Sequence, residues 1–214
     1  MMRSKPDVNA EKTTFPSGLY IVATPIGNLS DLSIRAIEVL KNVDVIACED
    51  TRITGKILNK HLIKTKMLAY HEHNASRARL KLTKLIMSGK SIALVSDAGT
   101  PIISDPGYKL VRDCIDKNFG ITAIPGANAA ITGLILSGLP TNRFLFVGFL
   151  NSKNNQRNKE LLELKNVPAT LVLYESARRL GTTLSDMVKC LGDRPAAVAR
   201  ELTKHHEEIR RDSL

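Results

Sequence analysis

The stretch Ser91-Ile-Ala-Leu-Val-Ser-Asp-Ala-Gly-Thr-Pro-Ile-Ile-Ser-Asp-Pro-Gly107 decides the fold. Ile92 to Val95 is a short apolar run with β-branched residues at both ends, and it reads as a buried strand. The chain then breaks into Asp97, Gly99, Thr100, Pro101, Ser104, Asp105, Pro106 and Gly107, all polar residues or turn formers. Leu110, Val111, Cys114 and Ile115 follow at helical spacing and predict an amphipathic helix. A plain strand-to-helix connection needs about two to six residues. This one is longer and chemically richer, so it predicts a ligand site at the carboxyl end of a buried strand, where open α/β sheets bind ligands.

The same unit recurs upstream. Leu19 to Ala23 reads as a strand, Thr24 to Asp31 as a loop holding Pro25, Gly27 and Asn28, and Ile34, Ile37, Leu40 and Val43 as a helix. That loop holds neither GxGxxG nor GxxxxGK[ST], which removes the main support for a dinucleotide site or a P-loop NTPase. A glycine-rich methyltransferase turn of the Rossmann kind is missing as well. Val43 to Cys48 is a second strand, ending in Glu49-Asp50-Thr51-Arg52. Two acids and an Arg at a strand tip are either a helix N-cap with a surface pair or part of a site, and spacing leaves both open. Met67 to Tyr70 predicts a short strand running into His71-Glu72-His73-Asn74. Two His at i, i+2 without an HExxH helix or a third ligand cluster argue against a metal and for a polar strand end that contacts substrate. Arg77 to Gly89 predicts a helix stopped by its glycine.

Downstream, Ile121 to Ile124 is a strand ending in Pro125-Gly126-Ala127-Asn128, small residues that let a ligand approach the backbone. Ile131, Leu134 and Ile135 then predict a helix. The βα alternation to this point predicts a parallel sheet wrapped by helices. Phe144 to Leu150 and Ala169 to Glu175 read as strands, with Asn151 to Lys159 between them as a polar, basic loop. Leu180, Leu184, Met187, Val188 and Leu191 mark a helix closed by Gly192, Ala196 to Glu201 reads as a strand, and Glu207 to Leu214 begins a further element. A boundary between two α/β halves is expected near residues 126–142.

Composition narrows the partners. At 214 residues with 43% hydrophobic content the chain buries a substantial core, and no stretch approaches the run of about 20 apolar residues that a membrane span needs. Met1 to Thr14 is polar, lacks an apolar h-region and reads as a disordered leader rather than a signal peptide. Cys48, Cys114 and Cys190 lie far apart, which argues against a zinc site or a disulfide framework and fits buried thiols in a reducing cytoplasm. A net charge of +10 points to a polyanion, with RNA or DNA ahead of an anionic membrane. Aromatic residues make up only 4% with no Trp, so recognition through phosphates and a shaped pocket is favoured over a base-stacking platform.

The segments ATPIGNLSD, ACEDTR, YHEHN, ALVSDAGTPIISDPG, IPGANAA, SGLPTNRFLFVGFL, LVLYES and VARELTKHHEEI, in this order, resemble the bacterial 16S rRNA ribose 2′-O-methyltransferases. These belong to the tetrapyrrole-methylase-like superfamily of S-adenosylmethionine enzymes. The resemblance implies two α/β domains of the tetrapyrrole methylase type, a class III S-adenosylmethionine methyltransferase fold with its ligand in the inter-domain cleft. It further implies a homodimer, with domains over 16–126 and 127–214 following a leader over residues 1–15; with the residue readings above, no membrane and no metal are expected. The second domain is expected to stop short of the family's end. The implied activity is methylation of the ribose 2′-oxygen of a cytidine in 16S rRNA, free or in the small ribosomal subunit; a tetrapyrrole, corrin or diphthine-type methylase is the alternative of the same fold. Cofactor positions fall on Pro25, Ile26, Ser96, Asp97, Gly99, Thr100, Ile102, Gly126, Ala127, Tyr174 and Glu201. Candidate acid–base groups are Glu49, Asp50, His71, His73 and Glu175, with an acid favoured over the histidines, and candidate RNA contacts are Arg52, His73, Asn74, Arg179, Arg200 and Lys204. Two departures stand out: Pro-Gly-Ala-Asn-Ala where relatives read PGPSA, and Glu-Ser-Ala-Arg-Arg where they read ESPHR.

Overall fold

The computed structural model describes residues 15–214; the expected leader lies, but for Phe15, outside the described residues. Contacts divide the chain into two compact units.

The first unit takes residues up to Ala23, Leu32–Asp97 and Pro106–Pro125. It is built from β1 (Gly18–Val22), α1 (Ile34–Asn42), β2 (Val45–Cys48), α2 (Thr51–Lys60), β3 (Lys66–Ala69), α3 (Ala75–Met87), β4 (Ser91–Val95), α4 (Tyr108–Asp116) and β5 (Ile121–Ile124). The strands form one parallel sheet in the order β3-β2-β4-β1-β5. β2 and β4 are buried along their whole length, as the continuous apolar runs VIAC and IALV require of inner strands covered on both faces. The α1 helix starts where Ser33 accepts from the Ala36 amide at 3.1 Å, and it buries Ala36, Val39 and Leu40. Ile34, expected on that face, is 87% exposed, because the buried stripe is one residue out of phase with the Ile34–Ile37 spacing. In α4, Leu110 and Cys114 are buried whereas Ile115 faces solvent.

The second unit takes Thr24–Asp31, Ala98–Asp105 and Gly126–Leu214. Its elements are α5 (Ala129–Ser137), β6 (Phe144–Phe149), α6 (Asn154–Leu164), β7 (Thr170–Tyr174), α7 (Ala177–Leu191), β8 (Pro195–Arg200) and β9 (Glu208–Ser213). β6 and β7 pair in parallel and β8 and β9 antiparallel, as two separate two-stranded sheets. Leu150, Leu161, Cys190 and Leu191 form its core between α6, α7 and β7.

Two expectations are corrected here, and a third is made specific. The polar run Asn151 to Lys159 is not a loop: from Asn154 it is the start of α6, which buries Leu161 together with Arg157. Glu207 to Leu214, read as the beginning of an element, is a strand over Glu208–Ser213, and this β9 pairs antiparallel with β8 along its full length. In α5 the buried residues are Ala130, Leu134 and Ser137, leaving Ile131 and Ile135 exposed. All three cysteines are free and buried.

Candidate functional site

The loops of the second unit hold one another through backbone and hydroxyl bonds. Thr24 and Gly99 exchange both main-chain hydrogen bonds, at 2.9 and 3.0 Å, as a single antiparallel bridge. The Thr100 hydroxyl donates to the Ala127 carbonyl at 3.1 Å. The Asn28 amide donates to Thr203 Oγ1 at 3.1 Å. Four segments remote in sequence are thus joined: Thr24–Asn28, Gly99–Thr100, Gly126–Ala127 and the turn after β8.

Two of these segments are packed too closely for a side chain at their glycines. Gly99 has φ +80, and a Cβ there would stand 3.2 Å from Ile26 Cγ2. A Cβ on Gly27 would lie 2.5 Å from Lys204 Cγ and 2.8 Å from the Leu202 carbonyl oxygen. Around them, Ile102 (φ 78), Ser104 (φ 63), Glu201 (φ 51) and Thr203 (φ 64) adopt left-handed backbone. For a β-branched residue such as Ile102 this is a genuine outlier, costing on the order of 1–3 kcal/mol. Elsewhere among the described residues, only Leu62 and Asn118 among non-glycines share that conformation, and both lie just past helix ends, where it is ordinary. Strain gathered on two loops that are held by cross-loop bonds makes these loops the candidate site.

Tyr174 closes β7. Its ring meets Phe146 at 5.1 Å and Phe149 at 5.5 Å between centroids, burial raises its phenol pKa, and the Ala130 backbone partly offsets that by a hydrogen bond. Asn128 caps α5 by accepting from the Ile131 amide at 3.1 Å, so the departure at this position keeps a capping side chain.

Comparison with known proteins decides the family. Residues 18–214 match the model for tetrapyrrole (corrin/porphyrin) methylases. A Halalkalibacterium halodurans protein named ribosomal RNA small subunit methyltransferase I is 53% identical over 196 residues, covering 92% of this chain and 68% of that one. A Mesorhizobium japonicum protein of the same name is 51% identical over 197 residues, covering 92% and 67%. The chain belongs to the tetrapyrrole methylases.

Among solved structures, uroporphyrin-III C-methyltransferase from Thermus thermophilus, complexed with S-adenyl homocysteine, aligns with a TM-score of 0.63 at 19% identity, over 91% of this chain and 87% of that one. At that identity the likeness is one of fold. Membership of the tetrapyrrole methylases is compatible with the missing glycine-rich fingerprint, and the loops bonded to one another here are several, not one βα turn.

Of the positions expected to hold a cofactor, Pro25, Ile26, Gly99, Thr100, Ile102, Gly126, Ala127, Tyr174 and Glu201 all fall in the second unit. Ser96 and Asp97 fall in the first: Ser96 is 3% exposed, and Asp97 Oδ1 accepts from the Asp50 amide at 3.0 Å. Sequence reasoning missed Thr24 and Thr203 as bridge residues and gave Gly27 and Asn28 no role. A small residue two positions after Pro25 was the only signal for Gly27, and nothing in LTKHH marked Thr203.

The acid–base candidates differ sharply. Asp50 caps α2 by accepting from the Arg52 amide at 2.8 Å, and its carboxylate also takes the Arg52 guanidinium. Those bonds pull its pKa down to about 2. The helix-cap reading of Glu49-Asp50-Thr51-Arg52 therefore describes Asp50 and Arg52. Glu175 accepts from Thr183 Oγ1 and the Ser176 amide, each at 2.7 Å. Burial pushes its pKa up, but Thr183, Ser176 and Arg179 together hold it below the usual range. Glu49 is half-buried just past β2. His71 is half-buried and lies 6.1 Å from the His73 ring, centroid to centroid.

The expected RNA contacts divide in the same way. Arg52, Arg200 and Lys204 are exposed, each against a carboxylate: Asp50, Glu208 and Glu201. His73 is exposed. Asn74 instead accepts from the His71 amide and donates to the Ala69 carbonyl, which makes it a brace for the turn after β3. Arg179 donates to the carbonyls of Leu150 and Asn151 and pairs with Glu175, so it braces the end of β6. Among the described residues no cluster of His, Cys, Asp or Glu has metal-binding geometry, and no helix is long and apolar enough to cross a membrane.

Proposed function

We propose that this chain methylates the ribose 2′-oxygen of a cytidine in 16S rRNA, free or in the small ribosomal subunit, in the cytoplasm and as a homodimer. The observation that carries the reading is the cross-linked cradle, in which Thr24–Gly99, Thr100–Ala127 and Asn28–Thr203 hold the family's cofactor positions together. S-adenosylmethionine suits such a cradle: its adenine edge and amino-acid head seek main-chain donors and acceptors, and small residues such as Gly126 and Ala127 let a ligand approach the backbone closely. When bound, it supplies a sulfonium methyl.

The chain's own work is orientation and proton handling. Holding two reacting atoms near contact and in line is worth about 7–11 kcal/mol. The hydroxyl is a poor nucleophile until it loses its proton, so a group within hydrogen-bond reach takes it. Asp50 and Glu175 are poor acceptors, because their pKa values are lowered. Glu49 and His71 are the proton acceptors we assign. Arg52, Arg200 and Lys204 exchange their carboxylate partners for phosphates, which costs little because exposed pairs are worth only about 0–1 kcal/mol.

Tritiated methyl transfer from S-adenosylmethionine into small ribosomal subunits, mapped to a single cytidine ribose, tests the proposal. Transfer into a corrinoid but not into RNA overturns it, and so does methylation of a base instead of a ribose.

A further inference from the structure

Nearly all of the net charge sits in one part of the first unit. Residues 51–96 hold ten Lys and Arg and a single acid, Glu72, so they carry nine of the ten net positive charges. From Thr51 to His71 there is no acid at all. The segment builds α2, the edge strand β3 and α3 before it enters β4. Three of its cations are answered: Arg52 by Asp50, Arg79 by Asp113 and Lys90 by Asp44. The other seven are exposed, and among the described residues none of them stands in an ion pair.

Helix geometry sorts these cations. Arg52, Lys56 and Lys60 recur every fourth residue of α2, opposite the buried Thr54, Ile57 and Leu58. They form one stripe about 12 Å long, with a charged head about every 6 Å. Lys64 in the following turn and Lys66 at the start of β3 continue the basic run. Arg77, Lys81 and Lys84 make a second stripe on α3. The steps from β2 to β3 and from β3 to β4 cross the sheet in opposite directions, so right-handed crossovers put α2 and α3 on opposite faces. On its face α3 packs against α4, where Lys109 and Arg112 are matched by Asp113 and Asp116. The same rule places α1 on the face of α2, and its Arg35, Glu38 and Lys41 leave a positive excess. Like charges four residues apart weaken a helix, so the α2 stripe burdens the fold until an anion lies on it.

We propose that the α2 stripe, with Lys64 and Lys66, is a docking surface for the phosphate backbone of rRNA; the proposal rests on the rRNA reading above. The stripe begins at Arg52, three residues past Glu49, and leads away from the carboxyl end of β2. Its residues grip and neither take the proton nor hold the cofactor. An anionic membrane needs an apolar face beside the cations. Here Gly55 and Asn59 lie among the cations, and Ile53 and Leu62 are the only large apolar side chains exposed along α2 and its following turn, among the described residues. A polyanion that meets repeated point charges fits better, because lysines along a groove or helix neutralise phosphates one by one.

The test compares two triple variants that remove equal charge: Lys56→Gln, Lys60→Gln and Lys64→Gln together, and Arg77→Gln, Lys81→Gln and Lys84→Gln together. Binding to unmodified 16S rRNA is titrated from about 50 to about 200 mM salt, where each phosphate contact adds about 0.7–0.9 to the slope of log K against log salt. The first variant is expected to lose about 2–3 from that slope, so its binding weakens about 20- to 40-fold less over this range than that of the unaltered chain. Its KM for rRNA rises, with kcat at saturating rRNA and the affinity for S-adenosylmethionine unchanged. The second variant keeps most of the slope. On the unaltered chain, saturating rRNA protects Lys56, Lys60 and Lys64 from acetylation and leaves Lys81 and Lys84 reactive, a reading that needs no variant to fold. The proposal is overturned by an unchanged slope in the first variant, by equal losses in both, by a fall in its kcat at constant KM, or by binding to phosphatidylglycerol vesicles in place of rRNA. If the unaltered chain methylates rRNA alongside any of these, the function proposed above stands without this surface. A slope lost in the first variant, with no methyl transfer to rRNA by the unaltered chain, supports the surface and overturns that function.

Discussion

The Thr100 hydroxyl reaches the Ala127 carbonyl oxygen at 3.1 Å, and so ties the loop after β4 to the turn before α5. Thr100→Val keeps the shape and removes the donor. The net value of such a bond is about 0.5–1.5 kcal/mol. Calorimetry should therefore show S-adenosylmethionine binding weakened by about 3- to 10-fold, with Thr100→Ser restoring it. Unchanged affinity in the Val variant would detach this bond from the cofactor.

Two glycines make a matched pair. Gly27→Ala drives a Cβ to 2.8 Å from the Leu202 carbonyl, a backbone atom that cannot swing aside, so the loop must shift. Cofactor binding should fall by at least about tenfold, with a small change in melting temperature. Gly181 lies inside α7 with nothing within 4 Å of an added Cβ. Gly181→Ala should stabilise the protein by about 0.5–1 kcal/mol, read by denaturant titration, because alanine has less chain entropy to lose.

How far the sequence exposed this fold follows from which residues face inward. Strands such as β2 and β4 were legible because inner parallel strands are apolar on both faces. The α6 helix was hidden because its buried face includes Arg157, and a guanidinium paired inside the fold looks like a solvated charge in the sequence. β9 was hidden in the same manner: Glu208-Ile-Arg-Arg-Asp-Ser213 is polar and takes its conformation from pairing with β8. At the candidate site, Gly99, Gly126 and Thr100 stood out by residue type. The left-handed backbone at Ile102 and Thr203 is not one their residue types favour, so it leaves no mark in the sequence.

Acid should weaken the protein through its paired carboxylates. The pKa of Asp50 is lowered to about 2, chiefly by hydrogen bonds from the Arg52 side chain and amide. The folded chain thus holds this carboxylate ionised more firmly than the unfolded chain does, and the contribution is fully present above the ordinary carboxylate pKa of about 3.9. It is lost as the pH falls toward about 2. Asp44 and Glu175 are shifted in the same direction and add to the trend. Melting curves between about pH 5 and 2 should show a steeper fall for the unaltered chain than for Asp50→Asn. Equal slopes would mean that the Arg52 pairing is absent in solution.

The Arg157–Asp186 pair supports the second unit from inside. Both side chains are nearly excluded from solvent, at 5% and 4% exposure. Arg157 also donates to the carbonyls of Asn151 and Ser152, and Asn154 adds a bond to Asp186 at 3.0 Å. Removing one partner leaves the other charge buried without its close counter-ion, Asp186 keeping only Asn154 and the Lys189 ammonium at 3.9 Å, which costs up to about 3–5 kcal/mol. Arg157→Met and Asp186→Leu should each lower stability by about that much in denaturant titrations. The double variant should lose less than the sum, because no lone charge remains, although the two freed carbonyls keep it below the unaltered protein. Additive losses would show that the guanidinium acts through those carbonyls alone and that Asp186 is answered by Asn154, a different basis for the α6–α7 packing.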